Sequence, residues 1–593
     1  MKLSKSLTLL LGTAAMFALY GCGSSNRESA IDQQSASFQA SAGCISCHST
    51  KVSPVTGALI VDEWKASKHN TGNGASCGDC HKPQGHPNGS VTKNPSNAVC
   101  EECHTAATMR TGVAHFGDPA DPTKAFYVSS LDRTGGVAQG NMTFPGGNGC
   151  QTCHNPHDTT TLMTINQQWA GSAHAATADL PFTEDPWRKQ SSGNCGRCHT
   201  GSGFRYYVTN AQAVLPKATF GQYTNAREVV GCSACHTDYS WKRISSDPSI
   251  TSFINFSTPY KRSAGIGKNF PSNVGDTKLC VPCHAGRTGG GDVWAVATLS
   301  NASVPSAHYL PAAGLMYMKQ GFIDFVPGNT VIGTSTYAKT LLSADDLSGG
   351  VTSTHRKLGT TAINGDSHNP AFFVSGNLDS NGPCVVCHMK GGHSLKINAS
   401  AFDQVCVKCH DSEGGVALTN ANFGTIFLEP QKEVFENALK LAAALFESKY
   451  NIRVVFDATS GSAGFYDLTL DATGATACKD WTRGGTLTAT EARYLLGAAF
   501  NVKLLSNDPA AYAHARTYTR RLIYDTIDFL DNKVNDLSVG TTALATQPAV
   551  YAKGATAYTD GTLTTLATGT TESMVYLIRW SRTTGAWDAP ERP

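Results

Sequence analysis

The chain has 593 residues, of which 40% are apolar and 16% are charged, and its formal net charge is +2. Both shares are lower than in an ordinary soluble domain, so a single continuous apolar core of this size is not expected. Its 24 Phe, 19 Tyr and 8 Trp residues argue against a disordered chain. The balanced charge gives no basic surface for nucleic acid, so no nucleic-acid partner is expected. The unusual feature is the content of 20 Cys and 19 His.

The N-terminus has the pattern of an exported protein. Lys2 and Lys5 precede an apolar run over residues 7–19, which is too short to span a bilayer but suits a signal peptide. The run ends in Leu-Tyr-Gly-Cys22, which resembles a lipobox, so residues 1–21 are expected to be removed and Cys22 to carry a lipid. The alternative is an ordinary signal cleaved nearby, with Cys22 incidental. Residues 22–42 are small and polar and are expected to form a flexible tether.

The sequence Cys-x-x-Cys-His occurs nine times, which is the signature of covalent c-type haem attachment. In this chemistry the two thiols form thioethers with the vinyl groups of one haem, and the adjacent His becomes the proximal ligand of the iron. Zinc sites would combine pairs of Cys-x-x-Cys units and would not need His after every second Cys. The predicted thioether residues are Cys44, Cys47, Cys77, Cys80, Cys100, Cys103, Cys150, Cys153, Cys195, Cys198, Cys232, Cys235, Cys280, Cys283, Cys384, Cys387, Cys406 and Cys409. The predicted proximal ligands are His48, His81, His104, His154, His199, His236, His284, His388 and His410.

Ten further His remain for nine irons, which favours a second His on the distal side of nearly every haem. Two axial His close both positions of an iron, so such a haem transfers electrons and leaves no site for a small substrate. Met is the other common sixth ligand, but the supply of His makes it unnecessary. The candidate distal ligands are His69, His115, His157, His174, His308, His355, His368, His393 and His514, with His86 the least favoured because its Gly-His-Pro-Asn-Gly context is a turn sequence.

A short internal repeat supports these candidates. The pattern Trp-x-x-Ser-x-His occurs at 64–69 and again at 169–174, and it predicts a reused helix start that presents a distal His. His157 follows the proximal His154 by three residues, a spacing that suits a ligand to a neighbouring haem.

Residues 43–411 therefore form a predicted nine-haem domain. Its segments between motifs are too short to bury a core of their own, so the porphyrins must supply the apolar interior. The fold class expected is a multihaem cytochrome c, with mostly loops and short α-helices wrapped around a closely packed chain of haems.

Residues 412–593 contain no further Cys-x-x-Cys-His motif and are expected to be mainly α-helical, with a Thr/Gly-rich tail. Helical periodicity follows Pro430, short strands are expected at 452–470, and Thr488-x-x-Glu491 resembles a capping box. A third helix is predicted to start at Asp508 and to return His514 to a haem. Residues 538–573 are expected to form a loop.

These features together resemble the Geobacter-type outer-membrane multihaem c-type cytochromes, the OmcB-like lipoproteins. The resemblance rests on the lipobox, the haem motifs, and the segments 498–505, 511–516 around His514 and 520–530. It implies electron transfer at the outer membrane, with a lipid anchor at the cell surface or the periplasmic face. The implied partners are other cytochromes, a porin-like barrel, and extracellular acceptors such as Fe(III) and Mn(IV).

Two alternatives stay open. One is a multihaem reductase for nitrite, hydroxylamine or tetrathionate, which needs one open iron; some such enzymes mark it with Cys-x-x-Cys-Lys, which does not occur here. The other is a secreted cytochrome that forms filaments, for which a lipid on Cys22 would be unsuitable. No catalytic residue is predicted, and Cys478 is expected to be a small buried apolar side chain.

Overall fold

The computed structural model describes two compact units, residues 1–252 and 253–593. In the first it describes residues 35–53, 57–71, 74–93, 95, 97–104, 155–157, 165, 168–169, 171–175, 195–199, 201–210, 230–236 and 243–246. In the second it describes residues 260–261, 267–268, 275–318, 320–325, 355, 358, 382–390, 392–413, 415–546, 576–577, 580–581 and 586–587.

The described part of the first unit consists of short helices. Its α-helices are α1 (Ala36–His48), α2 (Ile60–Ala66), α3 (Cys77–His81), α4 (Asn97–Glu101), α5 (Gly196–His199), α6 (Gly201–Thr209) and α7 (Cys232–Cys235). Turns of 3-10 helix lie at Lys68–Asn70, Ala173–Ala175 and Ile244–Ser246.

Helix α1 begins within the segment expected to be a tether. The Ser35 hydroxyl accepts a hydrogen bond from the backbone N–H of Phe38 at 3.0 Å, which caps the helix. The buried Ser41 hydroxyl accepts one from the backbone N–H of Cys77 at 3.0 Å. Residues 36–42 are thus helical and packed against the next haem motif, which corrects the predicted boundary of the tether at residue 42.

The second unit combines short elements with a helical C-terminal part. Its α-helices are α8 (Val281–His284), α9 (Gly290–Trp294), α10 (Ala312–Tyr317), α11 (Gly382–His388), α12 (Ala399–Gln404), α13 (Glu429–Tyr450), α14 (Ala489–Ser506), α15 (Ala511–His514), α16 (Arg516–Asn532) and α17 (Val539–Thr546). Turns of 3-10 helix lie at Gly275–Leu279, Leu299–Asn301 and Cys406–Lys408, and a π-helical turn at Gly424–Leu428 precedes α13. Four antiparallel two-stranded ribbons pair β1 (Tyr260–Lys261) with β2 (Gly267–Lys268), β3 (Ser412–Glu413) with β4 (Val416–Ala417), β5 (Ile452–Phe456) with β6 (Ala463–Asp467), and β7 (Trp580–Ser581) with β8 (Ala586–Trp587).

The apolar core of this unit lies where α13, α14 and α16 pack together, with the β5–β6 ribbon against α13 and α14. Helix α14 starts from the capping box between Thr488 and Glu491. One side of α14 holds the segment 320–325, because the Asn501 amide bonds both the N–H (2.7 Å) and the carbonyl (2.8 Å) of Phe322. Gly497 permits this approach, since an added Cβ would lie 2.3 Å from the Phe322 ring.

Two elements differ from the sequence expectation. The helix predicted to run on from Asp508 is divided at Ala515, whose φ of −143° and ψ of 49° end α15 and precede α16. As a result, His514 is the last residue of the one-turn helix α15, and the Asp508 carboxylate contacts its ring. Residues 539–546, expected to belong to a loop, form α17, whose Val539 and Ala543 are buried. Among the described helices, none has the length and hydropathy needed to span a membrane.

The ion pair between Arg483 and Asp467 fixes the end of β6. Its two short bonds measure 2.7 and 2.9 Å, and the two side chains are only 9% and 2% exposed. The Arg483 guanidinium holds the pKa of the Asp467 carboxyl well below its usual range.

We therefore expect Arg483→Ala to lower the local free energy of opening around β5–β6 by about 3 kcal/mol, because it leaves a buried carboxylate unpaired. Hydrogen exchange of residues 452–487 should then be roughly a hundredfold faster. Lys449→Ala is the control, since its pair with Asp531 is half exposed and spans 3.5 Å. Equal exchange in the two variants would contradict the structural role of the Arg483 pair.

Candidate haem-binding sites

Each described haem motif is wound into a single helical turn. In five of them the backbone N–H of the His donates to the carbonyl of the first Cys, at 2.8–3.0 Å; these His are His104, His199, His236, His284 and His410. Side chains three and four residues apart lie on one face of a helical turn. The two thiols and the imidazole of a motif are therefore presented together on one side, as attachment to a single porphyrin requires.

Proximal and candidate distal imidazoles face each other in pairs. A metal–imidazole bond of about 2 Å, with the ring centre about 1.1 Å further, puts two rings on opposite faces of one iron about 6 Å apart between centres. The observed pairs are His48–His86 at 6.0 Å, His69–His104 at 6.0 Å, His81–His157 at 6.1 Å, His355–His410 at 6.0 Å and His388–His514 at 6.2 Å. The spacing fits a haem iron between the rings of each pair.

Hydrogen bonds to the second ring nitrogen orient many of these imidazoles. The Nδ1 atom lies within hydrogen-bonding distance of a backbone carbonyl, which fixes Nε2 as the atom available to iron. These contacts join His69 to Pro156 (2.8 Å), His81 to Thr92 (2.7 Å), His284 to Leu310 (3.1 Å), His355 to Ala513 (2.7 Å) and His388 to Leu395 (3.0 Å).

His514 is oriented in a different way. Its Nδ1 contacts both oxygens of the Asp508 carboxylate, at 2.8 and 3.1 Å. Burial opposes the charged form of His514, but the charge and hydrogen bond of Asp508 leave the pKa of His514 above its ordinary value. Asp508 itself is buried.

Burial keeps other imidazoles neutral, and iron binds the neutral form. It lowers the pKa of His157 to about 4, with a further contribution from the charges of His81 and His69. It also lowers the pKa of His410 to about 4, helped by the nearby His355. These sites are therefore ready to ligate at neutral pH.

Sulfur atoms of successive motifs lie side by side. In the first unit the Cys77 thiol is hydrogen bonded to that of Cys44, and in the second the Cys384 thiol is hydrogen bonded to that of Cys280. The Cys80 thiol also lies near Cys100, and the Cys387 thiol lies near Cys406. The order of sites in space therefore follows the order in sequence within 44–77–100 and within 280–384–406.

The Trp-x-x-Ser-x-His repeat connects a candidate ligand to a motif. The Trp64 indole donates to the carbonyl of Ala75, two residues before Cys77, at 3.1 Å. The Trp169 indole donates to that of Val230, two residues before Cys232, at 3.0 Å. In both copies a 3-10 turn begins directly after the Ser of the pattern and carries the His as its second residue, so the His lies at the start of a short helical turn.

Comparison with known proteins gives the same class of cofactor. A model described as a doubled CXXCH motif matches residues 69–109. The C-type polyheme cytochrome OmcB of Geobacter sulfurreducens is 25% identical over 70% of this chain and 59% of its own length. The C-type polyheme cytochrome OmcC of the same organism is 26% identical over 65% of this chain and 49% of its own.

The chain is a homologue of these polyhaem c-type cytochromes. It spans about 59% of the length of OmcB. No solved structure matches it.

The structure places His86 differently from its rank in the sequence. His86, the least favoured distal candidate, faces His48 at 6.0 Å between ring centres, with 28° between the ring planes. His308 is the described candidate with the least suitable geometry, because its Nδ1 accepts the N–H of Tyr309 at 2.9 Å. In a neutral ring the proton is then on Nε2, the atom that a ligand would need free.

The remaining predicted residues divide into two groups. His174 and His393 lie in described segments, and the irons they would serve stay predictions. Outside the described residues lie Cys22, His115, Cys150, Cys153, His154 and His368. Cys478 is buried, and burial raises the pKa of its thiol to about 12, so it stays protonated.

Sequence reasoning missed the groups that orient the ligands. Backbone carbonyls such as those of Pro156 and Ala513 carry no residue-type signal. Asp508 did carry a signal, since Asp-Pro six residues before His514 reads as a helix start; the structure gives its carboxylate to the ligand ring instead.

We expect His86→Ala to convert the haem of the Cys44 motif from low spin to high spin, because it removes the imidazole that faces His48. Electron paramagnetic resonance would measure one new high-spin haem per chain. Gln84→Ala, an exposed change in the same turn, should leave the spectrum as in the wild type. A spectrum without a high-spin haem in His86→Ala would contradict the pair.

Proposed function

We propose that the chain is a nonahaem c-type cytochrome, anchored in the outer membrane by a lipid, that carries electrons from haem to haem toward extracellular Fe(III), Mn(IV) or partner cytochromes. The observation that carries the proposal is the set of five facing imidazole pairs, 6.0–6.2 Å apart between ring centres. When bound, haem supplies an iron that accepts and gives one electron. The chain supplies the attachment, the axial ligands and their orientation.

Closed axial positions favour transfer over substrate chemistry. A pair of imidazoles fills both faces of an iron, so no coordination position remains for nitrite or hydroxylamine. The five pairs thereby account for five of the nine motifs as relay sites in this proposal.

Adjacent sulfur atoms support transfer in sequence order. The motif pairs 44–77 and 280–384 have thiols in hydrogen-bonding contact, so their porphyrins would be immediate neighbours. The neighbours of Cys80 and Cys387 extend each run by one haem. We infer a three-haem run in each unit, 44–77–100 and 280–384–406.

The location rests on the N-terminal sequence. The basic start, the apolar run and Cys22 support export and lipidation. Nine haems would add up to about 18 propionate charges to a nearly neutral chain, fewer where burial protonates a propionate. The holoprotein would then be acidic, which suits partners with basic surfaces, among them other cytochromes. A porin-like barrel is a further proposed partner.

We expect low-spin signals from nearly all nine haems in the purified holoprotein, since facing imidazoles impose a strong ligand field. Electron paramagnetic resonance measures this directly, and assays with nitrite and hydroxylamine serve as the control for reductase activity. A stoichiometric high-spin haem together with fast turnover of either substrate would overturn the relay function in favour of the reductase.

We expect Cys22→Ala to abolish incorporation of labelled fatty acid into the protein, because the lipid is attached through this thiol. Ser24→Ala changes the same segment without removing the thiol and should leave labelling intact. Label retained by Cys22→Ala would refute the anchor and would leave the filament-forming alternative open.

A further inference from the structure

We propose that Asp508 tunes the haem of the Cys384–His388 motif to a lower reduction potential than its neighbours in the second unit, by accepting a hydrogen bond from the distal ligand His514. The inference rests on the proposed function, since it requires a haem between His388 and His514.

The carboxylate is fixed in place by its surroundings. The Asp508 side chain is 1% exposed, and its Oδ2 lies 2.8 Å from Nδ1 of His514. Its Oδ1 also accepts from the backbone N–H of Ala510 at 3.2 Å, and its own N–H donates to Leu505 at the end of α14. Within the described part of the chain, the salt bridge of Asp508 is the one with His514.

The neighbouring site provides an internal comparison. His355, which faces His410, has its Nδ1 2.7 Å from the carbonyl of Ala513, the residue directly before His514. His388, the ring opposite His514, contacts the carbonyl of Leu395. Two ligands a short distance apart are therefore oriented by different groups, one by a neutral carbonyl and the other by an anion.

An anionic acceptor changes the electronics of the ligand. It draws the Nδ1 proton toward itself and makes Nε2 a stronger electron donor. A stronger donor, and a buried negative charge close to the iron, both favour Fe(III) over Fe(II). A carbonyl has the same geometry without the charge, so its effect is smaller.

The haem of this site would lie between two others, so its potential would affect electron transfer through all three. The Cys384 sulfur lies against Cys280 and the Cys387 sulfur is near Cys406, so this haem is the middle one of three. In the holoprotein, one electron would reach this haem from a reduced neighbour, whose iron would become Fe(III) as the middle iron became Fe(II). No bond is formed or broken, and the proton stays between His514 and Asp508. The middle haem is then the last of the three to be reduced, and its uphill step limits the rate through the run.

The test is a spectroscopic redox titration of the purified holoprotein carrying Asp508→Asn. The amide keeps a neutral acceptor for His514 and removes the charge. One ninth of the haem absorbance change should move to higher potential, with the redox equilibrium of that haem shifted at least tenfold, or about 59 mV for one electron. All haems that are low spin in the wild type should stay so.

Two further variants separate charge from structure. Asp508→Glu keeps the charge and should return the titration toward the wild type. Asp480→Asn removes an equal charge from a turn of the same unit, where the carboxylate bonds Thr482 and Gly484, and should leave the titration unchanged.

An unchanged titration in Asp508→Asn, an equal shift in all three variants, or a high-spin haem in Asp508→Asn would overturn the tuning role. The last result would assign Asp508 to holding the ligand only. His514→Ala tests separately whether a haem lies between His388 and His514. It should give one high-spin haem. Nine unchanged low-spin haems in this variant would reject the haem site itself, and with it the tuning role.

Discussion

Two imidazoles must face each other across about 6 Å to share one haem iron, and this requirement governs how the chain is arranged. The motifs meet half of it locally, because one helical turn presents two Cys and a His on the same face. The other half demands a ring from elsewhere in the sequence. His355 and His410 are 55 residues apart and His388 and His514 are further separated, yet each pair reaches 6.0–6.2 Å. In these pairs, long-range packing brings the second ring to the motif.

In both units, a backbone carbonyl next to one candidate ligand orients the imidazole of another. In the first unit His69 contacts the carbonyl of Pro156, the residue before His157, so the backbone next to one ligand is the acceptor for another. In the second unit His355 contacts the carbonyl of Ala513, the residue before His514. The segment that carries one facing imidazole thus orients an imidazole of the neighbouring pair. Neighbouring sites are mechanically linked, so displacing one distal ring would disturb the next.

The sequence predicts the motifs that bring two Cys and one His together, but it predicts little about which second imidazole faces each motif. A Cys-x-x-Cys-His motif carries its chemistry in residue types, and the capping box at Thr488 marks the start of α14 correctly by position. Which distal ring serves which motif depends on tertiary packing, and a turn sequence around His86 gave no sign that it would face His48. Carbonyl acceptors are invisible in any sequence, and the break at Ala515 is not visible there either, since Ala is the strongest helix former.

In the proposed holoprotein, haem and a local apolar core would together account for the low apolar content of the chain. Around the motifs, the described short helices bury only small apolar clusters, such as Phe402, Leu418 and Phe423, and in the proposed holoprotein porphyrin surface would complete the interior. The helices α13, α14 and α16 do form one, with Leu441, Phe500 and Ile527 fully buried. A rigid core beside a haem run can hold a charged group in a fixed place, which loops cannot. Asp508 lies just after the end of α14, where its backbone N–H donates to Leu505 of that helix. Its carboxylate contacts the ring of His514 directly, so the packed helix holds the charge at a fixed distance from the ring.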